Sequence, residues 1–134
     1  MSDPIFLDTV GLVAVWNRKD QWHKGAKAAF SEIVTSRAVL VTTSFVLLEC
    51  GNAAARYPFR TLLTALREEL LHGGNLIEPS LSDCEQAWAA YQRSDFGDAG
   101  IVDHVSFIVM RRLGLKRVFS NDDHFRAGGF ETLF

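Results

Sequence analysis

The chain alternates short apolar runs with longer amphipathic stretches. Ile5-Phe6-Leu7, Ala38 to Val41, Leu76-Ile77 and Lys116 to Phe119 have the length and composition of buried strands. Between them, apolar positions recur every three or four residues, the period of a helix. That spacing predicts helices over Val10 to Trp16, from Asp20 through Ile33, and over Phe45 to Arg56. It predicts three more over Phe59 to Leu71, Ser80 to Ser94, and from the Gly97–Gly100 turn to Gly114. Phe130 to Leu133 is a candidate edge strand. Turn chemistry fits these limits. Asp20, Thr42-Thr43-Ser44 and Ser80 or Ser82 stand where helix caps belong. Tyr57-Pro58 breaks the chain, and Gly73-Gly74 closes a helix as glycine C-caps do. Strands alternating with helices predict an α/β domain with a mostly parallel sheet, one domain over residues 1–134.

The stripes name the expected core. They comprise Phe45, Leu48 and Ala53 with Cys50; Leu62, Leu63, Leu66, Leu70 and Leu71; and Ile101, Val102, Val105, Ile108, Val109 and Leu113. With 134 residues, 48% of them hydrophobic, the chain can bury a real core. No apolar run approaches a membrane span and no N-terminal signal pattern is visible, so a cytoplasmic protein is expected. Cys50 and Cys84 fit buried thiols in a reducing compartment and lack zinc-site spacing. A net charge of −2 taken alone argues against a nucleic-acid binder.

Three acids stand where acids need a reason. Asp8 ends the first strand, Asp122 follows the strand Lys116 to Phe119, and Asp103 lies in a first helical turn between Val102 and Val105. Sites in open parallel sheets form outside the carboxyl ends of the strands. Like charges gathered there need a cation, and oxygen donors point to Mg²⁺ or Mn²⁺ rather than zinc. Asp98 reads equally well as a helix cap or a further acid of the cluster. Glu49 by itself reads as a solvated helical residue, with Asn52 near enough to hydrogen-bond it.

Four segments together resemble the PIN domain family, most closely its VapC-type toxin ribonucleases. They are Phe6-Leu7-Asp8-Thr9 with Asp20-Gln21-Trp22-His23; Thr43-Ser44-Phe45-Val46-Leu47-Leu48-Glu49-Cys50-Gly51-Asn52-Ala53; Ile101-Val102-Asp103-His104-Val105-Ser106-Phe107; and Ser120-Asn121-Asp122-Asp123-His124-Phe125. The resemblance implies a PIN-like three-layer sandwich with helices flanking the sheet. It implies an acidic site of Asp8, Glu49, Asp103 and Asp122 holding one or two Mg²⁺ or Mn²⁺ ions, with Asp98 a secondary ligand. Thr9, Ser44, Asn52, Ser120 and Asn121 would orient carboxylates or water around it; His23 and His124 could each be a general base or a metal ligand, but the resemblance puts both at structural positions. Asp123 departs from the family, where a basic residue is common. Removing the four site acids from the net −2 leaves the rest of the chain at +2, which permits an RNA substrate. Lys19, Arg56, Arg60 and Arg93 are candidate contacts to it.

By the same resemblance a homodimer and a VapB-like antitoxin are expected, with Leu62, Leu66 and Leu70 available to either contact. Two other readings stand beside this one. The chain could be a catalytically silent PIN-like module that binds RNA or protein. It could also be an aspartate-dependent phosphatase with Asp8 as nucleophile, although Val10 occupies the position of the usual second aspartate.

Overall fold

The computed structural model describes residues 3–56 and 58–134, so the Tyr57 half of the expected chain break lies outside the described residues. Strands β1 (Ile5–Leu7), β2 (Leu40–Thr43), β3 (Leu76–Ile77), β4 (Arg117–Phe119) and β5 (Glu131–Thr132) form one sheet in the order β3-β2-β1-β4-β5. Every neighbouring pair is parallel. β1 is central and fully buried, so it reads as an unbroken apolar run rather than an alternating one. The helices are α1 (Thr9–Trp16), α2 (His23–Thr35), α3 (Ser44–Ala53), α4 (Phe59–Gly73), α5 (Leu81–Gln92), α6 (Ile101–Leu113) and α7 (Asp123–Ala127). From β1 the chain goes first to β2 and β3 on one side and later to β4 and β5 on the other. The carboxyl ends of β1 and β4 therefore flank the point where strand order reverses, where such sheets form clefts.

The elements that carry the acids are firmly held. Phe107 of α6 packs edge-on against Phe125 of α7, ring centroids 4.9 Å apart, and both meet Phe130. Asp83 is buried and caps α5 with Ser80. It also accepts from Arg112 Nε and Nη2 at 2.9 and 2.8 Å, tying α5 to the end of α6. That guanidinium holds the Asp83 carboxyl below its usual range. No helix among the described residues is long and apolar enough to cross a membrane.

α1 packs so closely on β4 that its first turn needs a glycine. A Cβ on Gly11 would lie 2.2 Å from the Phe119 carbonyl oxygen. Both partners are backbone and cannot step aside, so Gly11→Ala is expected to cost about 3 kcal/mol or more. A urea-unfolding midpoint unchanged from the parent would disprove this packing.

Several boundaries and faces differ from the sequence reading. Asp20 does not cap α2. Its Oδ1 accepts from Trp22 N at 2.8 Å, making a turn that delivers the chain to Trp22, the residue at the cap. β2 lies two residues later than expected, and α3 begins at Ser44 and stops at Ala53. α3 buries Val46, Leu47 and Cys50, leaving Leu48 68% exposed. α4 buries Leu70 alone, with Leu62 and Leu71 largely exposed, and Leu113 is exposed at the end of α6. Cys84 is only half-buried.

Candidate metal centre and active site

Each acid arrives by a local device. Asp8 follows β1 and is the N-cap of α1; its Oδ2 accepts from Val10 N at 3.2 Å. Asp103 sits in the first turn of α6, where Oδ2 accepts from Gly100 N at 3.4 Å and the helix N-terminus favours its charge. Asp122 is the N-cap of α7, with Oδ1 accepting from His124 N at 2.9 Å. Glu49 lies on the second turn of α3, and Thr9 Oγ1 donates to its Oε1.

Ser120 joins the two strand ends. Its buried hydroxyl donates to Asp8 Oδ2 at 2.9 Å and accepts from Asp122 N at 3.1 Å. Asp103, Asp122 and His124 offer ligand atoms that all lie within 4.8 Å of one another. His124 Nε2 meets Asp98 Oδ1 at 2.7 Å. Its Nδ1 lies 2.9 Å from Asp122 Oδ1 without forming a hydrogen bond.

The electrostatics follow from this crowding. Burial, then the charges of Asp103 and Glu49, push the Asp8 carboxyl up to about 7 against the opposing bonds from Ser120 and Val10. Burial, then Asp122 and Glu49, raise Asp103 to about 6. His124 is drawn above its ordinary value, chiefly by its bond to Asp98. Carboxyl groups this reluctant to ionise together accommodate either protons or a cation. Asp8 and Glu49 stand outside the group within 4.8 Å but near enough for their charges to act on it, and carboxylate donors of this kind fit a hard divalent ion.

Not every sequence candidate joins the cluster. Asp98 is not a helix cap: Gly100 takes that position, and Asp98 is exposed and bonded to His124. Asn52 is exposed on α3, and Thr9 rather than Asn52 bonds Glu49. Ser44 Oγ is buried without a partner, and the backbone carbonyl of Asn121 accepts from Arg126. Asp123 turns outward to Arg126, which separates it from Asp122. His23 Nδ1 contacts the Ala14 carbonyl oxygen at 2.8 Å, which is structural. His124, read from the sequence as structural, stands inside the cluster. Its place two residues after Asp122, at the start of a helix, was the available signal.

Of the candidate basic contacts, Arg60 is committed to the Ala55 carbonyl and Arg93 to Asp95. Arg56 and Lys19 line a groove of about 990 Å³, joined by Arg18 and Lys27, with Trp16 and Phe59 among its apolar walls. No carboxylate is among its described lining residues. The groove lies at the far ends of α1 and α3, beyond Asp8 at the N-cap of α1 and Glu49 on the second turn of α3.

A parallel sheet with acids gathered at its carboxyl edge is the build of a PIN domain. The chain belongs to that family: its model, the PIN domain, matches residues 5–131. PIN domains are nucleases, and this chain is an enzyme of their VapC type. It is 32% identical over 131 residues to the 23S rRNA-specific endonuclease VapC20 of Mycobacterium tuberculosis, covering 94% of this chain and 95% of that protein. The crystal structure of M. tuberculosis VapC20, a sarcin-ricin loop cleaving toxin, superposes with a TM-score of 0.77 at 29% identity, covering 94% and 95% of the two chains. FitAcB from Neisseria gonorrhoeae shares the fold, with a TM-score of 0.62 at 13% identity and coverage of 97% and 96%. Family membership sets aside the phosphatase reading of Asp8.

Proposed function

We propose that this ribonuclease is a divalent-metal-dependent toxin that cuts a stem-loop of ribosomal RNA. The observation that carries the metal dependence is the pairing of Asp8 and Asp122 through Ser120, with Asp103 close to Asp122 and the Asp8 and Asp103 carboxyls pushed towards neutrality. Asp8, Glu49, Asp103 and Asp122 would hold Mg²⁺ or Mn²⁺. The bound ion supplies water activation and charge neutralisation at the attacked phosphodiester. Ser120 fixes the Asp8 carboxylate and the Asp122 backbone, and Thr9 fixes Glu49. The rRNA target is supported by the match to VapC20 along nearly the whole chain.

The basic groove is the proposed RNA track. α1 spans about 12 Å from its acid to the groove at 1.5 Å per residue, so a strand in the groove reaches the acids within a few nucleotides. Its cations meet phosphates, and Trp16 and Phe59 offer faces on which bases stack. In a cleavage-deficient background, Lys19→Glu with Arg56→Glu is expected to weaken RNA binding at least about tenfold and to flatten its salt dependence. Fluorescence anisotropy with an rRNA stem-loop at several salt concentrations reads both. Unchanged affinity would move the track elsewhere.

The partners are proposed on the same footing. A VapB-like antitoxin seated on exposed Leu48 and Leu62 would lie beside Glu49 and close the site. Leu81, Trp88 and Tyr91, exposed along α5, suit a homodimer contact. A cytoplasmic location follows from an rRNA substrate.

The test uses purified, partner-free protein with ribosomes and with total RNA, in Mg²⁺ or Mn²⁺ and in EDTA. Discrete 23S fragments that vanish in EDTA are expected. Metal-independent cleavage, or an intact 23S rRNA beside cut tRNA or mRNA, would overturn the corresponding half of the proposal.

A further inference from the structure

We infer that His124 is itself a ligand of the divalent ion, through Nδ1, that Asp98 positions its ring, and that the centre therefore favours Mn²⁺ over Mg²⁺. The inference rests on the metal-dependent reading above and adds a nitrogen donor to the four carboxylates.

The argument begins at the far side of the ring. Nε2 lies 2.7 Å from Asp98 Oδ1. An ionised carboxylate only accepts, so Nε2 carries the hydrogen. With a cation in the site the imidazole is neutral and presents its lone pair at Nδ1. That atom is buried and has no hydrogen-bond partner. Another acceptor, Asp122 Oδ1, lies 2.9 Å from it. Two lone-pair atoms this close repel unless a positive charge lies against both. The ligand atoms of Asp103, Asp122 and His124 lie within 4.8 Å of one another, a spread that one cation can serve.

The local backbone holds this pairing. Asp122 Oδ1 accepts from His124 N at 2.9 Å, which turns both side chains to one side of the start of α7. Asp98 is 96% exposed, and its carboxylate reaches the centre through His124. A carboxylate behind an imidazole, with the other ring nitrogen turned to the metal, is how proteins orient histidine ligands. Mg²⁺ takes oxygen donors, and so in the main does Mn²⁺, but Mn²⁺ is a transition ion and admits an imidazole nitrogen beside its oxygens more readily than Mg²⁺ does. A nitrogen donor thus favours Mn²⁺ among the ions an acidic site would bind.

The experiment needs no RNA. Chelator-stripped full-length protein is titrated with MnCl₂ and separately with MgCl₂ by calorimetry. The Mn²⁺-loaded protein, unlabelled and labelled with [¹⁵N]histidine, is measured by spin-echo EPR. Wild type is expected to show nitrogen modulation on bound Mn²⁺ that changes with the isotope. His124→Gln is expected to lose that modulation and to bind Mn²⁺ at least about tenfold more weakly, with a change below about threefold for Mg²⁺. Asp98→Asn is expected to keep the modulation and lose about tenfold in Mn²⁺ affinity. Should His124→Gln fail to fold by near-ultraviolet circular dichroism, the labelled wild type and Asp98→Asn still decide.

Bound Mn²⁺ without histidine modulation would overturn the ligand assignment. It would leave His124 as an imidazolium held between Asp98 and Asp122, with the metal-dependent reading intact. Equal loss of both ions in His124→Gln would overturn the selectivity. Wild type that binds neither ion would overturn the metal-dependent reading itself.

Discussion

Asp8→Asn is expected to abolish cleavage, by on the order of 10³-fold or more, while the protein folds and becomes more stable without metal. Asp8 is 1% exposed, and its carboxyl is held at about 7 by burial and by the charges of Asp103 and Glu49. An amide of the same shape keeps an acceptor for Ser120 Oγ and Val10 N, so the loop after β1 has no cause to move. It removes the negative charge that a divalent ion needs and that the apo protein pays to bury. The two effects therefore have opposite signs. Loss of activity from an unfolded protein would come with a lower melting temperature, whereas loss from the missing charge comes with a higher one in EDTA. Activity near the parent level with the same RNA and metal would remove Asp8 from the mechanism. Asp103→Asn is expected to behave alike, with a smaller gain in stability, because its carboxyl is raised only to about 6.

The metal-free protein is expected to lose stability as pH rises from about 4 to about 7. Asp8 titrates at about 7 in the folded chain against an ordinary value of 3.8, and Asp103 at about 6. Between those limits the native state holds protons that the unfolded chain has released. The stability they confer is complete below the unfolded value and lost as pH climbs through the folded one. For Asp8 alone this amounts to about 4 kcal/mol, since each pH unit of displacement is worth about 1.4 kcal/mol. The two acids share one field, so their contributions do not simply add. His124, raised above its ordinary value, acts in the same direction. Asp83 acts in the opposite direction: its folded value is depressed by Arg112, so its contribution is lost only as pH falls through that lower value. Thermal melts at fixed ionic strength from pH 5 to 8 in EDTA should show a fall of about 10 °C or more. Saturating Mn²⁺ should flatten the slope or reverse it, because the cation replaces the protons. Melts in EDTA that do not depend on pH would mean that these carboxyls ionise without strain and that the site is more open than its burial indicates.

The sequence by itself determined the architecture and singled out three of the acids proposed for the site. β1 was legible because a strand buried on both faces must be an unbroken apolar run. The limits of α5 and α6 were legible because Ser80, Asp83 and Gly114 act on backbone within a few residues of themselves. Asp8 and Asp122 could be located because they follow strands, and Asp103 because an acid between Val102 and Val105 conflicts with its surroundings. Phase and partnership were decided only by the tertiary structure. Leu48 and Leu47 are neighbours on α3, and a period of 3.6 admits either into the buried stripe; the packing of α3 on α1 and the sheet chose Leu47. Asp98 could have capped α6, but Gly100 does so, and Asp98 finds its partner 26 residues away in His124. Thr9 rather than Asn52 bonds Glu49 because α1 and α3 leave adjacent parallel strands side by side, a contact spanning 40 residues. Arg56 and Lys19 meet in one groove for the same reason, while Arg60 and Arg93 are held by neighbours on their own surfaces. Local chemistry is set by residues within a turn of one another and can be read along the chain. Which distant side chains share a charge or a hydrogen bond depends on how the helices settle on the sheet, and that is fixed only when the whole core packs.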